Sequence, residues 1–125
     1  MNFNQITIPS LDVVKATEFY KKLGLLLIVD ALPRYVRFEL PEGDSTFSIH
    51  KVDKLPSGEG ITIYFQNEDL DTTVQELKNK GLEFSSEPED KSWLWREAHI
   101  YDLDNNHIII YSAGENRKNP PWRIS

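Results

Sequence analysis

At 125 residues, with 20 acidic residues, 14 basic residues and no cysteine, the chain is long enough for one domain with a single modest core and carries a formal net charge of −6. The acidic balance and the lack of any Lys/Arg-rich stretch exclude an obvious nucleic-acid footprint, and the missing cysteines exclude thiol nucleophiles, disulfides and thiolate metal sites. The first ten residues have neither a basic start nor a continuous apolar core, and no window approaches the roughly 18 apolar residues of a membrane span, so we expect a soluble cytoplasmic protein with no membrane partner.

The first half of the chain predicts a strand, a helix and three further strands. Residues 5–9 alternate like a short strand, and residues 11–23 form one apolar helix face at helical spacing, with Asp12 as the expected cap and Gly24 as the expected end. Three strand-like runs follow, at residues 25–31, 35–40 and 46–52. This half therefore predicts a βαβββ unit.

The second half repeats the same plan. Residues 61–65 are strand-like, and an apolar helix face follows, with Asp69 as the expected cap and Gly81 as the expected stop. Three strand candidates come next, at residues 82–86, 93–101 and 107–111. The tripeptide Ile-Thr-Ile occurs at residues 6–8 and again at 61–63, and a recurrence over about 55 residues indicates duplicated units.

We therefore predict one α+β domain over residues 1–125, built from two βαβββ modules whose curled, mostly antiparallel sheets enclose a cavity. Each sheet would pack one face on its own helix and turn the other toward the cavity. The boundaries are module one at 3–53, a linker at 54–60, module two at 61–113 and a C-terminal tail at 114–125.

Three segments carry a family resemblance, namely DVVKATEFYKKLGL, EDLDTTVQELKNKGLEF and WREAHIYDLDNNHIIIY. With this layout the chain resembles the vicinal oxygen chelate superfamily, which includes glyoxalase I, extradiol dioxygenases, fosfomycin-modifying enzymes and bleomycin resistance proteins. The resemblance covers roughly residues 3–113 and implies the glyoxalase/bleomycin resistance fold and a homodimer. Fold resemblance by itself does not establish an activity.

Metal-dependent members of that superfamily place four ligands on the first and last strands of the two modules. The resemblance puts these positions on Gln5, Thr62, Ile109 and either Ser48 or His50. Isoleucine has no donor atom for a divalent ion. We therefore expect a degenerate metal site, no metal and no cofactor.

A cavity of this kind predicts an aromatic ligand site. Trp93 and Trp95 lie two residues apart and share one face if their segment is extended, although core or interface packing would explain them equally. Arg37 could bind an anion, or pair with a neighbouring carboxylate. The candidate ligand-binding residues are Gln5, Tyr35, Arg37, His50, Tyr64, Trp93, Trp95 and Tyr111.

Glu97 and His99 continue the face of the two tryptophans and are the candidate catalytic residues. The opposite register would turn the even-numbered side chains of this strand, including Arg96, toward the cavity instead. A single histidine such as His50 is more often a surface residue than a ligand, and His107 is expected to be an exposed polar residue at the turn side of its strand.

The predicted function is metal-independent binding of a small, partly aromatic or amphipathic molecule, as in the bleomycin resistance proteins. One alternative is an enzyme, either a divergent glyoxalase-like lyase using Gln5, His50 and Glu97 or a metal-free acid/base catalyst centred on Glu97 and His99. Another alternative is a dimeric module that binds a protein partner.

Overall fold

The computed structural model describes residues 1–124, and Ser125, the last residue of the predicted tail, lies outside the described residues. The chain forms two compact units, one of residues 1–60 with 102–104 and one of residues 61–101 with those from Asn105 onward. Each unit contains a four-stranded mixed sheet and one α-helix, in the order βαβββ. The predicted α+β class is confirmed.

The first unit has the strand order β1-β4-β3-β2, in which β1 and β4 are parallel and the other pairs are antiparallel. Helix α1 begins after Asp12, whose side chain accepts from the backbone N of Lys15, and it ends at Gly24 with a φ of 111°, which glycine adopts at low cost. The elements are β1 Gln5–Ser10, α1 Val13–Leu23, β2 Leu26–Ala31, β3 Tyr35–Glu39 and β4 Thr46–Lys51.

Helix α1 buries its apolar stripe against one face of this sheet. Tyr20 is fully buried, and its ring lies 4.7 Å from that of Phe47 and 6.3 Å from that of Phe38. The hydroxyl of Tyr20 donates to Oδ2 of Asp102 at 2.5 Å, and Oδ1 of Asp104 accepts from the backbone N of Leu11 at 2.9 Å. The Asp102–Asp104 segment therefore belongs to the first unit, where it satisfies a buried hydroxyl and a backbone donor.

The second unit has the equivalent strand order β5-β8-β7-β6, with β5 and β8 parallel. Its helix buries Leu70, Val74 and Leu77. Asp69 precedes the helix but makes no side-chain cap bond, so the predicted capping role is wrong. The Asn67 side chain instead accepts from the backbone N of Asp69 at 2.8 Å. The elements are β5 Thr62–Gln66, α2 Leu70–Asn79, β6 Ser86–Asp90, β7 Arg96–Tyr101, β8 His107–Ser112 and a 3-10 helix at Gly114–Arg117.

The strand predicted at residues 82–86 lies mostly outside β6, which begins at Ser86. Gly81 has a φ of 96°, and the backbone N of Leu82 donates to the carbonyl of Leu77, so this stretch closes the helix instead of starting the strand. Strand β6 is polar, contains Pro88 and lies at the edge of its sheet, where a proline is tolerated.

The strand predicted at residues 93–101 begins only at Arg96. The backbone N of Leu94 donates to the carbonyl of Lys91, and Leu94 has a φ of 68°. The tight turn places Trp93 before the strand. The prediction that Trp93 shares a strand face with Trp95 is therefore wrong.

The register of β7 places its even-numbered side chains toward α2. Arg96 donates from Nε and Nη2 to the carboxylate of Asp71 on α2, at 3.0 and 3.1 Å, and Ala98 and Ile100 are fully buried. The odd-numbered side chains of β7 consequently lie on the face opposite α2. We call the face of each sheet opposite its own helix the open face. Within residues 1–124, no helix has the length and apolar character needed to cross a bilayer.

Candidate functional site

The open face of the second sheet brings together most of the candidate residues of module two. Strand β7 pairs with β8 so that Glu97 lies opposite Tyr111 and His99 lies opposite Ile109. Strand β5 adds Tyr64, which lies beside Ile109. Directly paired residues point to the same face of a sheet, so aromatic and ionisable side chains share this surface.

Three of these side chains form an aromatic cluster, consisting of Tyr64, Trp95 and Tyr111. The rings of Trp95 and Tyr111 stack at 4.5 Å with an interplanar angle of 16°. Tyr64 meets both edge-on, at 5.9 Å from Trp95 and 5.8 Å from Tyr111, and is 50% exposed. The indole Nε1 of Trp95 donates to the carbonyl of Asn116 at 3.1 Å, so the cluster is fixed on one side and open at Tyr64.

A polar row, consisting of Glu97, His99 and His107, lies on the same face. Nε2 of His99 is 2.9 Å from Oε1 of Glu97, and Nδ1 of His99 is 2.9 Å from Nε2 of His107. The other carboxylate oxygen of Glu97 accepts from Nε1 of Trp93 at 2.6 Å. Although Trp93 is not part of the strand, it therefore contacts the predicted catalytic carboxylate.

The hydrogen bonds of the polar row assign its ring tautomers. Glu97 is only 3% exposed, and its carboxylate can only accept, so His99 donates to it through Nε2. Nδ1 of a neutral His99 then accepts from Nε2–H of His107, which leaves the lone pair of His107 on Nδ1. Burial lowers the pKa of His107, and repulsion from His99 whenever that ring carries a proton lowers it further. Tyr101 stacks on His107 at 4.7 Å.

Sequence reasoning missed the part played by His107, which was expected to be an exposed polar residue. The side chain is partly buried and ends the polar row. The length of the turn was a usable signal. With five residues, 102–106, between the strands, Tyr101 pairs with His107. His99 lies two residues before Tyr101 and therefore shares the face of His107. That pairing requires the turn length to be known.

The open face of the first sheet carries the candidates of module one. Oη of Tyr35 lies 2.7 Å from Oγ of the fully buried Ser48, and Nε of Arg37 donates to the same phenol oxygen at 2.9 Å. Gln5 donates to Ser48 at 2.9 Å and accepts from Thr46. His50 lies opposite Tyr35 at the exposed end of β4.

The four positions assigned to metal ligands do not fit a divalent ion of the glyoxalase type. The amide of Gln5 is engaged with Thr46 and Ser48, and Ile109 packs in the core with Tyr111 and supplies no donor. Over residues 1–124, no group of three His, Asp or Glu side chains is arranged to hold a metal. No metal-dependent step can be derived from these residues.

The sequence matches the Glyoxalase-like domain family over residues 3–115. The chain belongs to this family. This family agrees with the glyoxalase resemblance seen in the sequence. A relative from Bacillus subtilis (strain 168), the uncharacterized protein YraH, is 30% identical over an alignment of 126 positions. The alignment covers 89% of this chain and 98% of YraH.

Solved structures show the same fold at lower identity. A glyoxalase/bleomycin resistance protein/dioxygenase from Nocardioides has a TM-score of 0.80 at 20% identity and covers 100% of this chain and 90% of its own. TioX from Micromonospora sp. ML1 has a TM-score of 0.73 at 14% identity, and the match covers 90% of this chain and 99% of TioX. Lactoylglutathione lyase from Agrobacterium tumefaciens has a TM-score of 0.73 at 13% identity, and the match covers 89% of this chain and 92% of the lyase.

Proposed function

We propose that the chain is a small-molecule binding protein of the glyoxalase/bleomycin-resistance type that takes its ligand without a metal ion. The observation that carries the proposal is the aromatic cluster beside the polar row on the open face of the second sheet. An apolar surface with a few convergent polar groups is the usual composition of a small-molecule site.

The cluster favours a planar or partly aromatic ligand. Tyr111 already covers one face of Trp95. Half of Tyr64 is exposed and Trp95 is partly exposed, so these two rings offer the surface for a ligand ring. An aromatic pair contributes on the order of 1 kcal/mol beyond the area it buries. The polar row would orient the ligand, because Nδ1 of His107 is an acceptor in the tautomer assigned above.

Metal independence is supported by the chemistry of the side chains at the four ligand positions. Ile109 has no donor, and Thr62 offers only a neutral hydroxyl. Glu97, which the lyase alternative would need as a free base or ligand, already accepts from Trp93 and His99. These contacts make a divergent glyoxalase-like lyase the weaker proposal, although one structural neighbour is a lactoylglutathione lyase.

The proposal is tested by screening planar compounds against the chain and comparing variants of the open face. Tyr64→Ala removes an exposed ring and should weaken a hit about fivefold, which corresponds to a stacking contribution of about 1 kcal/mol. Trp95→Phe keeps a ring in the packed position and should weaken the hit less. Trp122→Ala, which removes an exposed ring of the C-terminal tail, is the control and should leave affinity unchanged. Equal losses in all three variants would contradict the proposal.

The polar row favours a second function, metal-free acid/base catalysis. His107 would exchange a proton with the substrate, while His99 and Glu97 hold its tautomer through two hydrogen bonds of 2.9 Å. Nitrogen-15 spectra of the histidine rings test this arrangement. We expect the Nε2–H tautomer for both rings in the unmodified chain and its loss at His99 in Glu97→Gln. A protonated Nδ1 at His107 would remove the proposed base.

We also propose that the chain forms a homodimer. Strand β2 lies at the edge of the first sheet. The register of its pairing with β3 shifts between Leu27 and Val29, at Ile28. Leu26 and Ile28 are each 49% exposed. Exposed apolar side chains on an edge strand are surfaces that a partner commonly covers. A dimer without a ligand site would correspond to the partner-binding alternative.

A further inference from the structure

A hydrogen-bonded network on the open face of the first sheet plays no part in the function proposed above. It consists of Arg37, Tyr35 and Ser48. Nε of Arg37 donates to Oη of Tyr35, and Oη of Tyr35 lies 2.7 Å from Oγ of Ser48. Gln5 donates to the same Oγ at 2.9 Å. The guanidinium carbon of Arg37 also lies 5.6 Å from the centre of the Tyr35 ring, so this arginine is held at two points.

The two hydroxyl groups of this network leave one O–H donor for a ligand. Tyr35 and Ser48 have two O–H groups, but only one hydrogen bond joins them. Ser48 is fully buried, and a buried hydroxyl has to use its hydrogen inside the protein. Ser48 therefore donates to Tyr35, which accepts from both Ser48 and Arg37. The phenol O–H of Tyr35 is then left as a donor for an acceptor outside this network.

Arg37 has further donors beside this hydroxyl. Its Nε donates to Tyr35, which leaves Nη1 and Nη2 of this exposed side chain as a fork of two further donor groups. Within residues 1–124, no carboxylate oxygen lies within 4.0 Å of this guanidinium. The pairing with a neighbouring carboxylate, one of the two roles expected for Arg37 from the sequence, is therefore replaced by a contact with the phenol of Tyr35. An arginine fork beside a free O–H matches the two oxygens of a carboxylate.

We propose that Arg37 and Tyr35 bind the carboxylate group of a small, singly charged organic anion. The two Nη groups and the phenol O–H are the donors, and Ser48 and Gln5 position the phenol. The net charge of −6 disfavours ligands with several negative charges, because their approach is opposed by the field of the whole chain. The site lies within the first unit and stands independently of the function proposed for the second.

The site can be observed directly through the Nε–H resonance of Arg37 in nitrogen-15-labelled protein. Sodium benzoate is the probe, benzamide is its neutral isostere, and sodium phosphate and sodium chloride at equal ionic strength are the other anions. We expect a saturable shift with benzoate, a much weaker response to benzamide, and no saturation with chloride. At a pH of about 8, where phosphate is mostly a dianion, we expect it to bind more weakly than benzoate.

Variants separate the proposed site from simple charge attraction. Arg37→Gln should weaken benzoate about tenfold or more, because it removes the fork and its charge, and Tyr35→Phe should weaken it about threefold to tenfold through the lost O–H. Arg34→Gln removes the same charge from an exposed neighbouring turn and should change affinity less than about twofold. The backbone amide spectrum of each variant checks that it is folded.

Three outcomes would overturn the proposal. These are a benzamide affinity equal to that of benzoate, an Arg34→Gln loss equal to that of Arg37→Gln, and the absence of a saturable shift at Arg37. The Nε1–H resonance of Trp95 reports separately on the aromatic cluster. If benzoate shifted Trp95 but not Arg37, the carboxylate site would be refuted and the function proposed for the second unit would remain intact.

Discussion

Nδ1 of His99 lies 2.9 Å from Nε2 of His107, so the two histidines of the second unit share one hydrogen at this contact. If both rings gained a proton, two N–H groups would face each other at hydrogen-bonding distance. The pair can therefore hold at most three ring hydrogens without breaking the contact. This relationship links the protonation of the open face to its geometry.

The lowered pKa of His107 predicts a pH dependence of stability. Burial and the charge of His99 lower this pKa, whereas Glu97 opposes the shift, and Tyr101 covers the ring. The folded chain then binds fewer protons at His107 than the unfolded chain does. The melting temperature should fall as the pH drops from about 7 toward 5. His107→Gln should flatten this fall, and His50→Gln, at an exposed site, should not.

The bond between Tyr20 and Asp102 predicts a large stability loss on removal of one hydroxyl. Burial and the Asp102 charge raise the pKa of Tyr20, so the phenol stays protonated and remains the donor. Tyr20→Phe should lower the free energy of unfolding by about 1–3 kcal/mol, since the donor to a buried carboxylate is lost. Tyr101→Phe deletes the hydroxyl of a 46% exposed ring and should cost less than about 0.5 kcal/mol. Equal losses in urea unfolding would contradict this prediction.

The two helices provide a matched test of N-terminal capping. Asp12 accepts from the backbone N of Lys15 at 3.1 Å, whereas Asp69 makes no side-chain cap bond. Asp12→Ala should therefore cost about 1 kcal/mol of unfolding free energy. Asp69→Ala should cost clearly less, because it removes no capping hydrogen bond. A larger loss at Asp69 than at Asp12 would contradict the capping geometry.

The proposed dimer predicts a mass near twice the 14.5 kDa chain in sedimentation equilibrium at micromolar concentration. Ile28→Lys should shift the mass toward that of the monomer, because it places a charge in the exposed edge of β2. Val14→Lys, at a 48% exposed position on α1, is the matched control and should leave the dimer intact. A monomeric mass for the unmodified chain would refute the proposal.

The sequence predicted the order of elements because both helices carry a clear apolar stripe. Asp12 and Gly24 marked the ends of α1 correctly, since capping is a local property of the chain. Strand β6 was misplaced because its polar sequence, SEPED, lacks the apolar alternation by which strands are recognised. Its pairing with β7, a non-local contact, decides the strand instead.

The candidate site was predictable only where it depended on alternation along one strand. Trp95, Glu97 and His99 were placed on a common face from their spacing. In the structure Glu97 and His99 lie opposite Tyr111 and Ile109, and Trp95, directly before β7, stacks on Tyr111. The position of Trp93 was not predictable, because Leu94 adopts a positive φ that the residue type disfavours. The contact of His99 with His107 also required the strand register, which one sequence does not determine.

We propose above all that the open face of the second sheet binds a planar ligand without a metal. The most direct test is calorimetric titration of a hit from the planar screen into chelator-treated protein, before and after addition of Ni²⁺, Zn²⁺ or Mn²⁺. We predict the same affinity in both conditions and no saturable rise in melting temperature with metal alone. Binding that disappears after chelation and returns with a stoichiometric divalent ion would contradict the account and favour the lyase alternative.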